Sequence, residues 1–177
     1  MISSRYIVRG SKMPRFHFLA ITFGFNLYWL LAVWGQFDYI WLLIVMLVAC
    51  WWIFQGSWRF AIIAATAGIS MDALLSYFGV YQFDGNAIPP WLILLWLGFA
   101  SFVWLLRKVI QNYPSYVLVV IGSIGGTVSY LAGLRLEAIS WPMGIPVTMM
   151  ITLVSWLVYS IILLVLLKLS VQRWGED

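Results

Sequence analysis

Charge is what this chain has least of. Of its 177 residues 9% are Asp, Glu, Lys or Arg, where a soluble domain carries about 25%. Hydrophobic residues make up 64% of the chain and the mean hydropathy is +0.97, which excludes an ordinary water-soluble globule. Cysteine is nearly absent too: Cys50 is alone inside an apolar stretch, so there is no disulfide framework and no cysteine metal site, and the residue reads as packing. His17 is the sole histidine. HExxH, a nucleophile elbow, a P-loop and a GxGxxG fingerprint are all missing, which leaves no metal, no cofactor and no evident independent catalysis. The glycine-rich GSIGGT at 122–127 lies within an apolar run, which argues against phosphate binding. Period-two alternation is absent, which argues against a membrane β-barrel.

What is present is a set of long apolar runs. A helix crossing the hydrocarbon needs about 20 residues, and six runs qualify: 18–34, 39–55, 60–80, 90–106, 116–134 and 146–167. The expected fold is therefore all-α, one membrane domain over 1–177, a six-helix bundle of antiparallel hairpins. Arg5, Arg9, Lys12 and Arg15 precede the first run as in a secretory signal, but Asn26 interrupts that run and no small-x-small cleavage site follows. It reads as a retained first span. The net charge of +4 and isoelectric point near 9.4 come from bases at the ends of apolar runs, not from a basic face with interleaved aromatics, so they indicate topology and not nucleic acid. With both termini cytoplasmic, nine of the ten bases lie inside and Arg135 alone lies outside. Asp38, Asp84 and Glu137 then fall outside. Trp34, Trp41, Trp91 and Trp141 are expected in an outer aromatic belt, with Trp58, Trp104 and Trp174 in an inner one.

One acid breaks the pattern. In FAIIAATAGISMDALLSYFGV (60–80), Asp72 is the sole charge. It shares an i, i+4 stripe with Ala64, Gly68 and Ser76, small residues that let another helix approach closely and turn the carboxylate into the bundle. A mid-membrane carboxylate costs about 2.5–3.5 kcal/mol on insertion scales, so it calls for donors. Asn26, Trp29 and Trp96 are candidates, as is Tyr130 near the outer mouth. Asp72 and Asn26 each lie eight residues before the outer end of their spans, about 12 Å deep at 1.5 Å per residue, and are expected to face each other. Gln36-Phe37-Asp38 and Gln82-Phe83-Asp84 repeat at the offset that carries Asn26 onto Asp72. Two readings of the acid stand side by side: a functional polar site, or an interhelical hydrogen bond that fixes packing. In the fifth run, Gly122 and Gly126 form GxxxG while Gly125, Ser129 and Gly133 make a second small ridge, so this helix is expected to be central.

These residues together resemble the uncharacterised bacterial inner-membrane proteins called domain of unknown function 2878. The resemblance is carried by Asn26 and Trp29, by Asp72 with Leu75, Gly79-Val80 and Phe83, by PPWLILLWLGFA at 89–100, and by GSIGGTVSYLAGLRL at 122–136. The chain departs from the family pattern at Thr127, where proline is frequent, and at Glu137, where glycine is. The resemblance implies a small polytopic inner-membrane protein, often encoded beside fatty-acid-modifying and stress-response genes, with no established activity.

Three functions fit these residues. In the first, Asn26, Asp72, Trp29, Trp96 and Tyr130 line an outward-opening pocket of a binding or transport module for a small amphipathic or lipid-like molecule. In the second, the chain is an accessory subunit of a lipid- or fatty-acid-modifying enzyme. In the third, its small-residue ridge docks a membrane-protein partner. The first leads.

Overall fold

The computed structural model describes residues 14–85 and 87–174; the bases Arg5, Arg9 and Lys12 lie outside the described residues. Each of the six apolar runs forms one helix, and a single-turn helix is added between the fourth and fifth. In order they are α1 (Arg15–Gly35), α2 (Ile40–Ile53), α3 (Ser57–Tyr77), α4 (Pro90–Leu105), α5 (Arg107–Ile110), α6 (Ser115–Arg135) and α7 (Ile145–Trp174). By length and composition α1, α3, α6 and α7 suffice to cross a membrane, while α2 and α4 are apolar but shorter. Leu19, Phe23, Val45, Ile121, Met150 and Val154 all point outward, the surface expected of a membrane protein and not of a soluble one.

The helix ends follow from local chemistry. Pro90 opens α4 at its first position, where a missing N–H costs least. The run containing Asp72 extends to residue 80, yet α3 stops at Tyr77 because Gly79 turns left-handed at φ 70°. There Val80 N–H donates to the Leu75 carbonyl at 2.9 Å and Gly79 N–H to that of Ser76 at 3.0 Å, a Schellman ending. The end of α6 repeats it: Ala138 N–H donates to Gly133 at 2.9 Å and Glu137 N–H to Leu134 at 3.2 Å. Here the left-handed position is Glu137, at φ 60°.

The bundle is organised around α4, which packs against α1, α2 and α3; α6 pairs chiefly with α7, and α3 joins the two groups through α7. This corrects the expectation that the glycine-rich helix, α6, is central. Val120, Ile121, Ile124 and Val128 put one side of α6 on the exterior. The connections α3–α4 and α6–α7 meet at one end in an isolated antiparallel bridge between Gln82 and Ser140, with both bonds 2.9 Å long. Asp84 and Glu137 belong to those connections, whereas Arg59, Arg107 and Lys108 belong to the opposite end. The aromatic belts are thinner than expected. Trp34 and Trp41 are exposed, but Trp91, Trp104 and Trp141 are turned inward and buried.

Candidate functional site

Asp72 is fully buried on the inner face of α3, below Ala64 and Gly68. Its carboxylate accepts three hydrogen bonds. The Tyr130 hydroxyl on α6 and the Tyr81 hydroxyl just beyond α3 each reach Oδ1 at 2.5 Å, and the Trp96 indole on α4 reaches Oδ2 at 2.7 Å. All three partners are donors, the complement that an acceptor-only carboxylate requires. The geometry that brings Trp96 here depends on Gly68, because a Cβ at that position would overlap the indole ring. Trp96 in turn stacks on Trp156 of α7 at 5.4 Å between centroids and 19° between planes, and Tyr159 meets both rings edge-on.

Asn26 does not join this cluster. It is exposed on α1, and its Nδ2 donates to the Thr22 carbonyl of its own helix at 2.8 Å. The expected Asn26–Asp72 pairing is therefore corrected: the two share a depth in the sequence, but Asn26 points out of the bundle. Trp29, the other α1 candidate, does point inward, and its indole donates to Ser129 Oγ on α6 at 2.7 Å. Sequence reasoning missed Tyr81. Its signal was position: a tyrosine directly after the Gly79 turn comes back over the end of its own helix.

Beside the cluster lies a cavity of about 450 Å³ between α1, α4, α6 and α7. Trp29, Trp96, Phe99, Ser129, Tyr130 and Trp156 are in its wall, whereas Asp72 is not. The acid stands behind the wall and holds two of its members, Trp96 and Tyr130. Trp156 is 6% exposed, and its indole N–H has no hydrogen-bond partner among the described residues. A buried donor left unmade costs about 1–3 kcal/mol, and this one is closed off from the cavity as well as from protein acceptors.

The small residues of α6 divide between contact and space. Cβ atoms at Gly122 and Gly126 would run into Ser160 and the Trp156 ring, so these two glycines do bring α7 close. At Gly133 a Cβ would make ordinary contact with Ile139 at 3.5 Å, and at Gly125 it would meet nothing within 4 Å. Gly125 and Ser129 thus face the cavity and not a neighbouring backbone.

The model of one family, protein of unknown function (DUF2878), matches residues 18–162. The chain belongs to this family. The matched region takes in Asp72, Tyr81, Trp96, Tyr130 and Trp156, so the cluster and all of the cavity lining except Leu163 and Leu164 lie inside the family's extent. No curated protein and no solved structure matches the chain.

Proposed function

We propose that this protein is a six-span inner-membrane binding or transport module, with both termini cytoplasmic, that takes up an amphipathic, lipid-like molecule in the cavity in front of the Asp72 cluster. The observation that carries the reading is the wall itself: aromatic and aliphatic nearly throughout, with Ser129 among its few polar groups. Ligand pockets of about 300–1,000 Å³ with apolar walls and a few placed polar groups are the usual form of small-molecule sites. The hydrocarbon part of the ligand lies along Phe99 and Leu118, and its polar head lies beside Ser129. Asp72 acts from behind as a positioning residue, fixing Trp96 and Tyr130. The topology is supported by the separation of charge: the described bases other than Arg135 gather at one end of the bundle and Asp38, Asp84 and Glu137 at the other, the bias that sets orientation in bilayers. Helices α2 and α4, at about 21 and 24 Å by the 1.5 Å rise, span with the help of their flanking residues.

Native mass spectrometry of the protein in mild detergent tests this. The wild type carries a co-purifying lipid-like adduct; Gly125→Leu, which fills open space, loses it while melting at no lower temperature. The same adduct at the same occupancy in Gly125→Leu overturns the assignment. A lipid profile of a deletion strain separates transport from an enzyme-accessory role, since only the latter accumulates a fatty-acid precursor.

A further inference from the structure

A second cavity lies on the other side of α1. It measures about 820 Å³ and runs between α1, α2 and α4 at the basic end, with His17, Arg107 and Lys108 in its lining and Ile21, Phe25, Leu47 and Phe102 deeper. Phe25 and Phe102, stacked 4.4 Å apart at 16°, belong to both linings and form the partition between the two cavities.

Three observations bear on what fills it. The first is charge. The cavity lining includes two cations and a histidine but no acid. All four described acids, Asp38, Asp72, Asp84 and Glu137, lie elsewhere: one in the α3 core, the others in connections at the far end. The second is desolvation. The Arg107 guanidinium lies over the Trp104 ring at 4.5 Å and donates to the Trp104 carbonyl at 3.1 Å, and partial burial pushes its pKa down. A cation withdrawn from water with a single carbonyl as acceptor has donors to spare, since guanidinium offers five. The third is length. The lining on α1 extends from His17 to Tyr28, about 16 Å at 1.5 Å per residue, close to half of the roughly 30 Å hydrocarbon core. The basic mouth therefore sits at headgroup level and the apolar depth matches one leaflet.

We propose that this groove is a binding site for an anionic phospholipid of the adjoining leaflet, its phosphate held by Arg107 and Lys108 with His17 at the rim and one acyl chain laid between α1, α2 and α4 toward Tyr28. Phosphate suits the fork of an arginine better than any neutral headgroup, and a basic pocket between helices on the positive side of a membrane protein is the form that anionic headgroup sites take. The site stands apart from the Asp72 cavity and does not depend on what that cavity binds.

The test uses the full chain in nanodiscs or mild detergent, titrated with phosphatidylglycerol, phosphatidylcholine and oleate and read by native mass spectrometry. Phosphatidylglycerol is expected to bind at least tenfold more tightly than phosphatidylcholine. Lys108→Gln should reduce that preference at least threefold. Gly24→Leu should abolish binding with no fall in melting temperature, because Gly24 lines the groove and a Cβ there meets nothing within 4 Å. Equal binding of the two phospholipids, full binding by Gly24→Leu, or a preference for oleate over phosphatidylglycerol would each overturn the proposal.

Discussion

Gly125 and Gly126 are neighbours on α6 that face different surroundings, one the open cavity and the other the flat of Trp156. Alanine in a helix is favoured over glycine by about 0.5–1 kcal/mol, so Gly125→Ala should raise the thermal midpoint slightly. Gly126→Ala should lower it, by about 1–3 kcal/mol in stability, because Trp156 is clamped between Trp96 and Tyr159 and cannot retreat. Melting the two variants side by side checks both signs. At Asp72 the expectation is a larger loss. Hydrogen bonds to a charged group contribute about 1.5–3 kcal/mol each, and an asparagine there turns an amide N–H toward a donor, so Asp72→Asn should cost about 3 kcal/mol and Tyr81→Phe about half as much, read as denaturation in detergent. The acid, Trp96 and Tyr130 were legible in the sequence because a lone carboxylate in an apolar run has to find donors elsewhere. Asn26 misled for a physical reason. An amide can donate to the carbonyl four residues back on its own helix, as Asn26 does to Thr22, whereas a carboxylate has no proton to give that carbonyl. Counting residues fixes depth but not the direction a side chain takes around the helix axis.

The two Schellman endings compare one position with two residues. Gly79 occupies the left-handed site after α3 without strain, while Glu137 holds the same conformation after α6, at a cost of about 1 kcal/mol for a side chain with a Cβ. Glu137→Gly should accordingly stabilise the protein by about that amount, seen as a higher melting midpoint with an unchanged helical signal. The small residues of α6 were the least legible element. Glycine where a helix touches α7 and glycine where it borders a void leave the same letters in the sequence, so a helix at the edge of the bundle read as its centre. By contrast the six apolar runs located each helix to within three residues at either end, except that α7 continues seven residues past 167 to Trp174, and α5 escaped because one turn has no period to detect.

For the whole molecule, the separation of basic and acidic ends predicts a labelling pattern. In a Cys50→Ser background, a cysteine at Asp84 should react with a membrane-impermeant maleimide on intact cells, and one at Lys168 only after permeabilisation; the reverse pattern would invert the topology. The same separation has a mechanical side. The α1–α4 group and the α6–α7 pair are laced together at the acidic end: by the Gln82–Ser140 bridge, by Thr148 donating to the Val80 carbonyl at 3.2 Å, and by the Asp72 bonds that draw Tyr130 to α3 and α4. Between α1 and α6, one indole-to-hydroxyl bond from Trp29 to Ser129 spans the gap. A further tie sits deeper, where Tyr159 donates to the Ala64 carbonyl at 3.1 Å, so α7 is pinned to α3 at mid-depth as well as along the rim, and any widening that admits a guest has to part the thinly fastened α1–α6 seam instead.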